Sequence, residues 1–395
     1  MSGRPLRVLL VHPGAGLYGS DRMLLEAVRA VVAAGSRALL VVGEDGPLVE
    51  LARRAGARVL VRPVPVLRKS ALSPRGLLGL TGRSAVSAAR DGALLRRLRP
   101  DVVYVSTLTV PTWVLLARAH GVPVVCHVHE AEAQASALVQ RALAAPLLAA
   151  TRLLVNSEYS RTVLTRSWPV LAARSGVLPN GVQGPAGPVP PPPAGGPIRL
   201  LYVGRLSRRK GVLVALDAFA RVLADGLDAH LDLVGDVFGE HADFGAELAD
   251  RLRDSVFEGR VTVHGFDPDV YAHLARTDLL LVPSVLPEPF GNTAVEGVLA
   301  GRPVLVSDVG GLPEAVAGVP SARLVPAGDA VALARALVDA AAALPDLQER
   351  AAEHAPVAAR RFAPERYRAG VVEGLQSAIP ARSRRWPGER PVNGR

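Results

Sequence analysis

The stretch GPAGPVPPPPAGGPIRLLYVG, residues 184–204, divides the chain into two parts. Four consecutive prolines flanked by glycines fit neither an α-helix nor a central β-strand, because proline has no backbone N–H group and a fixed φ. The segment 184–197 is therefore predicted to be a semi-rigid linker. The apolar run IRLLYVG after it is typical of a buried parallel strand, so a second domain is expected to begin at residue 198.

Short apolar runs alternate with helical patterns on both sides of this linker, which indicates a doubly wound α/β fold. A chain of 395 residues is also too long for one ordinary core. Six strands are predicted in each part, and they are residues 6–12, 37–43, 57–63, 101–106, 123–129 and 152–157, then 198–204, 231–236, 260–265, 278–284, 302–308 and 322–328.

We therefore predict two Rossmann-like doubly wound domains facing a central cleft, with ligands bound at the carboxyl ends of the strands. The N-terminal domain would span 1–183 and the C-terminal domain 198–360. A C-terminal helix over 361–380 is expected to pack back on the N-terminal domain. The tail 381–395 is expected to be disordered.

The composition restricts the possible partners. A net charge of +10 favours anionic ones, but the basic residues are spread out and only 4% of residues are aromatic, so no nucleic-acid partner is expected. The one cysteine, Cys126, excludes a disulfide framework and fits a reducing compartment. No apolar run reaches the roughly 18–20 residues of a membrane span, and the N-terminus does not resemble a signal peptide. A cytoplasmic protein is expected.

The segment GAGLYG, residues 14–19, follows the first predicted strand and precedes a helix for which Ser20 or Asp21 is a candidate N-cap. Its G-x-G-x-x-G pattern is found in dinucleotide sites, with Glu44 as the acidic residue after the second strand. An NAD- or FAD-dependent oxidoreductase is therefore one alternative. The other is that the backbone N–H groups of the loop bind the diphosphate of any nucleotide.

A longer motif, PSVLPEPFGNTAVEGVLAGRPVLVSDVGGLPE, occupies residues 283–314 and carries Glu288 and Glu296. A helix is predicted to begin at Asn292 or Thr293, which would place Glu296 in its first turn. The helix N-terminus would attract a phosphate. The carboxylate of Glu296 would be able to accept hydrogen bonds from a ribose diol.

The EPFGNTAVE part of this motif, with AGRPVLVSDVGGLPE after it, resembles the donor-site signature of family 4 retaining glycosyltransferases, which belong to glycosyltransferase group 1 and have the GT-B fold. The segments YGSDRMLLEAV, NSEYSR, LPNGV and YVGRLSRRKG resemble other parts of that family, so the resemblance extends over nearly the whole chain. It implies transfer of a sugar, with retention of configuration, from a UDP- or GDP-sugar to the hydroxyl of a carbohydrate or lipid-linked acceptor. It implies no metal and no further cofactor.

The resemblance also assigns site residues. Arg205 and Lys210 would hold the donor diphosphate and offset the charge of the leaving group, Glu288 would contact sugar hydroxyls near the reacting carbon, and Glu296 would bind the ribose. Lys210, one of only two lysines in the chain, would supply a compact charge beside the planar fork of Arg205. Phe290, Gly291 and Asn292 would shape the loop that carries Glu288. Gly19, in the N-terminal domain, would close over the phosphates, and Thr293 is also counted among the donor-binding residues.

Two histidines, His127 and His129 in CHVHE, share one face of a predicted strand. They could form an H-x-H metal site, but the chain offers no convincing further ligands. The family resemblance instead places a histidine against the donor sugar, and His129 matches it, being at the strand end beside Glu130. We therefore count His129 with Arg205, Lys210 and Glu288 as predicted catalytic residues, and expect His127 to pack within the strand or against the cleft between the domains.

The basic segment 66–99 could lie on an anionic membrane surface, which would suit a lipid-linked acceptor and a peripheral location on the inner face of the membrane. An ordinary amphipathic helix packed on the sheet is the alternative. A non-catalytic protein that binds sugar nucleotides or membranes is a further alternative on the same fold. The four residues Arg205, Lys210, Glu288 and Glu296 argue against it.

Overall fold

The structure is a computed structural model that describes residues 5–67, 87–131, 134–192, 195–237 and 242–380. They belong to two compact units. The first comprises Met1–Gly181 and Pro364–Arg395, and the second comprises Val182–Ala363. Each unit is built around one parallel sheet covered by helices on both faces.

The first unit contains a seven-stranded sheet in the order β3-β2-β1-β4-β5-β6-β7. Its strands are β1 (Arg7–His12), β2 (Arg37–Val42), β3 (Arg58–Val61), β4 (Val102–Val105), β5 (Val124–Val128), β6 (Arg152–Val155) and β7 (Ser175–Val177). Its helices include α1 (Gly19–Ala33), α2 (Pro47–Arg54), α3 (described over 87–98), α4 (Pro111–Ala119), α5 (Ala137–Ala144) and α6 (Glu158–Ser167), with short 3₁₀ helices at Ala145–Ala149 and Pro169–Arg174.

The second unit contains a six-stranded sheet in the order β10-β9-β8-β11-β12-β13. Its strands are β8 (Ile198–Val203), β9 (Ala229–Val234), β10 (Val261–Gly265), β11 (Leu279–Val282), β12 (Val304–Ser307) and β13 (Ala322–Val325). Its helices are α7 (Val212–Ala224), α8 (Ala242–Leu252), α9 (Val270–Leu274), α10 (Asn292–Leu299), α11 (Leu312–Ala315), α12 (Ala330–Ala342) and α13 (Leu344–Arg361), with a 3₁₀ helix at Ser255–Phe257.

Each sheet winds outward from its first strand in both directions, which is the Rossmann-like doubly wound arrangement, so the predicted fold class is confirmed. The central strands are continuous apolar runs because helices cover both faces; β4, VVYV, is buried at all four positions. The order of the sheets reverses between β1 and β4 and between β8 and β11. Ligands of such sheets bind at the carboxyl ends of the strands beside this reversal.

The last helix, α14 (Pro364–Ala378), packs on α1 of the first unit. Tyr367, Val371 and Leu375 of α14 join the core around β1, and the Arg368 guanidinium lies 2.6 Å from the carboxylate of Glu26 in α1. The helix begins at Pro364 and not at residue 361, because α13 continues to Arg361.

Two sequence-based details differ from the structure. β7 was not predicted, because its three residues, SGV, form no apolar run. The segment from Val182 to Pro192 belongs to the second unit and is not an independent linker, since Val189 packs on the core of that unit and the buried Arg302 donates a hydrogen bond to the carbonyl of Pro190. Among the described residues, no helix is long and apolar enough to cross a membrane.

Candidate active site

In the second unit, the loops after β8 and β11 lie side by side at the reversal of the sheet. Gly211 precedes α7 with φ of +74°, and a Cβ atom there would lie 1.8 Å from the carbonyl oxygen of Pro283. Only glycine permits this approach. The amide of Val285 donates to the carbonyl of Arg209 at 2.9 Å, so the backbone of one loop is hydrogen-bonded to the other.

This loop pair brings Lys210 and Glu288 together. The Lys210 ammonium lies 2.7 Å from Oε2 of Glu288, and the Ser284 hydroxyl donates to Oε1 of the same carboxylate. Burial alone would raise the pKa of Glu288, but the Lys210 ammonium, the two hydrogen bonds and the nearby Arg209 lower it below its usual value. Glu288 is therefore a buried carboxylate that stays ionised at neutral pH.

The helix after this loop begins as predicted, but its acidic residue lies further along. α10 starts at Asn292, so Glu296 is the fifth helical residue and lies beyond the predicted first turn. Gly291 precedes the helix with φ of +124°, and a Cβ there would lie 2.6 Å from Leu312. Asn292 and Thr293 are half-buried at the helix start, while Glu296 is 9% exposed.

The side chain of Phe290 lies in the core of the unit and packs edge-to-face against Phe362, with ring centroids 6.0 Å apart. The Phe290 side chain thus anchors its loop to the core of the unit. Arg205 is exposed two residues after β8, and its carbonyl accepts a hydrogen bond of 2.8 Å from the hydroxyl of Tyr202. The predicted donor residues of this unit therefore lie in the loops that follow β8 and β11 or in the helix α10 that begins at Asn292.

In the first unit, His129 and Glu130 directly follow β5. The Glu130 carboxylate accepts hydrogen bonds from the Thr107 hydroxyl, from the Leu108 amide at 3.4 Å and from the His129 amide at 3.1 Å. Nε2 of His129 is buried without a hydrogen-bond partner among the described residues. Burial and the nearby His12 lower the pKa of His129 to about 3, although Asp21 opposes this, so the imidazole is neutral at physiological pH.

A second polar cluster at this edge joins His12 and Asp21, which the sequence did not connect. His12, the last residue of β1, places Nε2 2.6 Å from the Asp21 carboxylate and Nδ1 against the Ser106 hydroxyl at the end of β4. Asp21 also accepts a hydrogen bond of 2.9 Å from the amide of Tyr18, which is the N-cap of α1. Asp21 is thus the third helical residue and not the N-cap. The sequence signal that could have identified Asp21 was an acidic residue near the start of a predicted helix.

Three other candidates, Gly19, Glu44 and His127, lie near these clusters, and His127 packs against His129 with ring centroids 4.1 Å apart. Gly19 is the exposed first residue of α1, and Glu44 is exposed after β2. His127 is fully buried within β5, as predicted. Within the described ranges, no group of three or more histidine, cysteine or acidic side chains is arranged to hold a metal ion.

The chain matches two models of protein families. The one described as Glycosyl transferases group 1 matches residues 197–342, and the one described as Glycosyltransferase Family 4 matches residues 18–183. The chain is 31% identical over 347 residues to the 2-deoxystreptamine glucosyltransferase of Streptomyces kanamyceticus, which covers 79% of this chain and 87% of that relative. Identity to the 2-deoxystreptamine N-acetyl-D-glucosaminyltransferase of Streptomyces fradiae is 32% over 377 residues, with coverages of 82% and 86%.

A solved structure is similar in fold. The crystal structure of Anabaena Alr3699/HepE in complex with UDP-glucose has a TM-score of 0.77, with 22% sequence identity and coverage of 94% of this chain and 100% of that chain. These matches do not support the alternative of an NAD- or FAD-dependent oxidoreductase.

Proposed function

Because the chain belongs to the group 1 glycosyltransferases, which have the GT-B fold and use nucleotide sugars, we propose that it moves a hexose from a UDP- or GDP-sugar to an acceptor hydroxyl with retention of configuration. The observation that carries this proposal is the ionised Glu288, held between Lys210 and Ser284 at the carboxyl ends of β8 and β11. A sugar nucleotide needs cations for its diphosphate and an acceptor of hydrogen bonds for its sugar, and this loop pair offers both.

The proposed roles follow from charge. Lys210 and Arg205 bind the diphosphate, and their positive charges stabilise the negative charge that grows on the nucleotide as the glycosidic bond breaks. Lys210 is already fixed by Glu288, so little side-chain entropy is lost when the donor binds. Glu288 accepts hydrogen bonds from sugar hydroxyls, and Glu296 binds the ribose diol.

His129 is proposed to donate or accept a hydrogen bond at the donor sugar through Nε2. A buried polar atom without a partner costs free energy, which a sugar hydroxyl would recover on binding. Because the imidazole is neutral, we assign it no role as a proton donor. We propose instead that the leaving phosphate takes the proton of the acceptor hydroxyl on the same face of the sugar, which would give retention.

The proposed acceptor is a carbohydrate or a lipid-linked carbohydrate. Both Streptomyces relatives are named for transfer to 2-deoxystreptamine, so aminocyclitols belong among the acceptors to be tested. Peripheral contact with an anionic membrane on the cytoplasmic side remains part of the proposal. Most of the basic segment that suggested it, residues 68–86, lies outside the described residues.

A thermal-shift titration with UDP, GDP and ADP tests the donor site. A nucleotide at 100 times its dissociation constant adds about 2.7 kcal/mol of stability. We expect UDP or GDP to stabilise the wild type, and Lys210→Met and Glu296→Gln to lose most of this effect. Glu247→Gln is the matched control, since Glu247 pairs with Arg208 on the surface of the same unit. Stabilisation that survives both site substitutions would refute the proposed donor site.

Retention is tested separately by ¹H NMR of the product made from UDP-α-glucose or GDP-α-glucose. The acceptor panel contains 2-deoxystreptamine, a simple glycoside and a polyprenyl-linked sugar. An α-linked product supports the proposal. A β-linked product would refute retention and leave the donor assignment intact.

A further inference from the structure

Two adjacent arginines in the loop after β8, Arg208 and Arg209, have different partners. The guanidinium of Arg208 pairs with the carboxylate of Glu247 in α8. Arg209 instead donates a hydrogen bond of 3.1 Å from Nη2 to the carbonyl of Pro287, the residue before Glu288. The donor site proposed above assigns no role to the side chain of either arginine. Of the two, it is Arg209 that reaches the loop carrying the buried carboxylate.

The loop that carries Glu288 has little regular structure of its own. Residues 283–291, all of them described, connect the end of β11 to the start of α10 and form neither a helix nor a strand beyond an isolated bridge between Glu288 and Gly310. Positions 283, 287 and 289 are prolines, which have no backbone N–H group to donate. The conformation of this loop therefore depends on hydrogen bonds to neighbouring segments.

Arg209 makes three hydrogen bonds to this loop. Its backbone carbonyl accepts from the amide of Val285 at 2.9 Å and from the amide of Leu286 at 3.3 Å. Its side chain donates to the carbonyl of Pro287. That carbonyl belongs to the same planar peptide group as the N–H of Glu288, so fixing its direction also fixes the Cα atom from which the Glu288 side chain extends. The guanidinium thus acts directly on the position of the carboxylate.

The contacts on either side of Glu288 complete this arrangement. The amide of Gly311 donates to the carbonyl of Glu288 at 2.7 Å, which holds the backbone after the carboxylate. Lys210, the residue after Arg209, holds the carboxylate itself through its ammonium at 2.7 Å. Residues 209 and 210 therefore fix both the peptide group before Glu288 and its charged end. Rotation of that peptide group would move the carboxylate relative to the ammonium, and the side chain of Arg209 opposes this rotation.

We propose that Arg209 is a positioning residue for the donor sugar: its guanidinium holds the peptide group before Glu288, so that the carboxylate stays where it accepts hydrogen bonds from sugar hydroxyls. The proposal rests on the role proposed above for Glu288. Because Arg209 acts on the sugar through Glu288, its side chain should matter for binding of a sugar nucleotide and not for binding of the free nucleoside diphosphate. An arginine that bound the diphosphate directly would affect both ligands.

A test without ligand is hydrogen–deuterium exchange of the full chain, measured by mass spectrometry on peptides that cover residues 284–291. Arg209→Met loses the side-chain hydrogen bond and keeps the backbone carbonyl, and we expect these peptides to exchange about five- to tenfold faster than in the wild type. Arg208→Met is the matched control, because it removes the same charge from the neighbouring residue, and it should exchange as the wild type does. Unchanged exchange in Arg209→Met, or equal acceleration in both variants, would overturn the proposal.

The effect on the donor is measured by isothermal titration calorimetry with UDP, UDP-glucose, GDP and GDP-glucose. We expect Arg209→Met to weaken binding of the sugar nucleotide about fivefold and to change binding of the free diphosphate less than about twofold. Arg208→Met should leave both dissociation constants at the wild-type values. Equal weakening of both ligands by Arg209→Met would show that Arg209 binds the diphosphate itself and would overturn the proposal.

A double variant tests whether the effect passes through Glu288. In a Glu288→Gln background, Arg209→Met should have no further effect on binding of the sugar nucleotide, and a persisting effect contradicts action through Glu288. If Glu288→Gln alone leaves the affinity for the sugar nucleotide unchanged, the proposed role of Glu288 fails. The exchange measurement still decides in that case whether Arg209 holds the loop.

Discussion

Replacing Lys210 by methionine would remove the cation from the Lys210–Glu288 pair and keep most of the volume of its side chain. The carboxylate would stay in a loop where it is 7% exposed, with the Ser284 hydroxyl as its remaining close partner. Removing one member of a buried ion pair typically costs about 3–5 kcal/mol, because the other charge is left unpaired. The Lys210 side chain is 29% exposed and partly screened by solvent, so we expect a loss below this range, about 2–3 kcal/mol at pH 8.

The pH dependence has a definite sign. In the wild type the pKa of Glu288 is lowered, so its contribution to stability is present above the ordinary value of 4.5 and is lost only as the pH falls through the lowered pKa. Without Lys210, burial raises the pKa of Glu288, and the folded variant takes up a proton more readily than the unfolded chain. The stability deficit of Lys210→Met should therefore shrink as the pH falls from 8 to 5.

The assay is differential scanning calorimetry at pH 8, 6.5 and 5, together with tryptophan fluorescence. The second unit, Val182–Ala363, contains no tryptophan, so the fluorescence follows the first unit and the calorimetric trace records both. For a unit of this size, the expected loss lowers Tm by about 4–10 °C. The control is Arg208→Met, which breaks the exposed Arg208–Glu247 pair and should cost less than about 1 kcal/mol.

Equal losses in Lys210→Met and Arg208→Met would refute the view that a buried pair organises the loop. A deficit that grows toward pH 5 would refute the account of the pKa of Glu288. If only the fluorescence transition were lowered, the loss of stability would lie in the first unit, which does not contain Lys210, and the reasoning would be refuted.

Three further predictions concern single positions. Gly211→Ala should abolish stabilisation by UDP and GDP and lower the calorimetric transition of the second unit, because its Cβ would overlap the Pro283 carbonyl. The control is Gly226→Ala, at φ of +87°, where the added Cβ would have no atom within 4 Å and should cost only about 1 kcal/mol. Cys126 is 0% exposed and burial raises the pKa of its thiol, so a disulfide reagent should modify it only at the rate of unfolding; immediate reaction of the folded protein would contradict this. Because the pKa of His129 is about 3, the ratio of wild-type to His129→Gln activity should be constant from pH 5 to 9, and a step near pH 6.5 would show that the imidazole titrates.

Much of the architecture could be predicted from the sequence. The twelve predicted strands are all present. The central strands are continuous apolar runs that only a strand covered on both faces can bury, whereas the edge strands β3, β10 and β13 are mostly exposed or half-buried. The helix after Glu288 begins at Asn292 as expected, since Gly291 marks its start. β7 could not be predicted, because its pairing with β6 is what makes it a strand and its residues carry no periodic pattern.

The side-chain contacts within the site could not be predicted from the sequence. The sequence placed Lys210 and Glu288 in separate motifs, and nothing in either motif states that their charged atoms lie 2.7 Å apart. Asp21 gave the signal of a helix start, while its bond to His12 depends on the loop between β1 and α1. Phe290 was expected to shape the donor loop, and its side chain lies buried in the core of the second unit.

The sequence by itself determined the two parallel sheets and the segments that end at their carboxyl edges, because burial of apolar runs and the conformations of proline and glycine are local properties. Only the tertiary structure decided which of these segments meet. Lys210 reaches Glu288 because β8 lies next to β11, and Tyr367 reaches His127 because α14 returns to α1. Such pairs depend on sheet order and helix packing, and these arise from the summed burial of the whole chain and not from any short pattern within it.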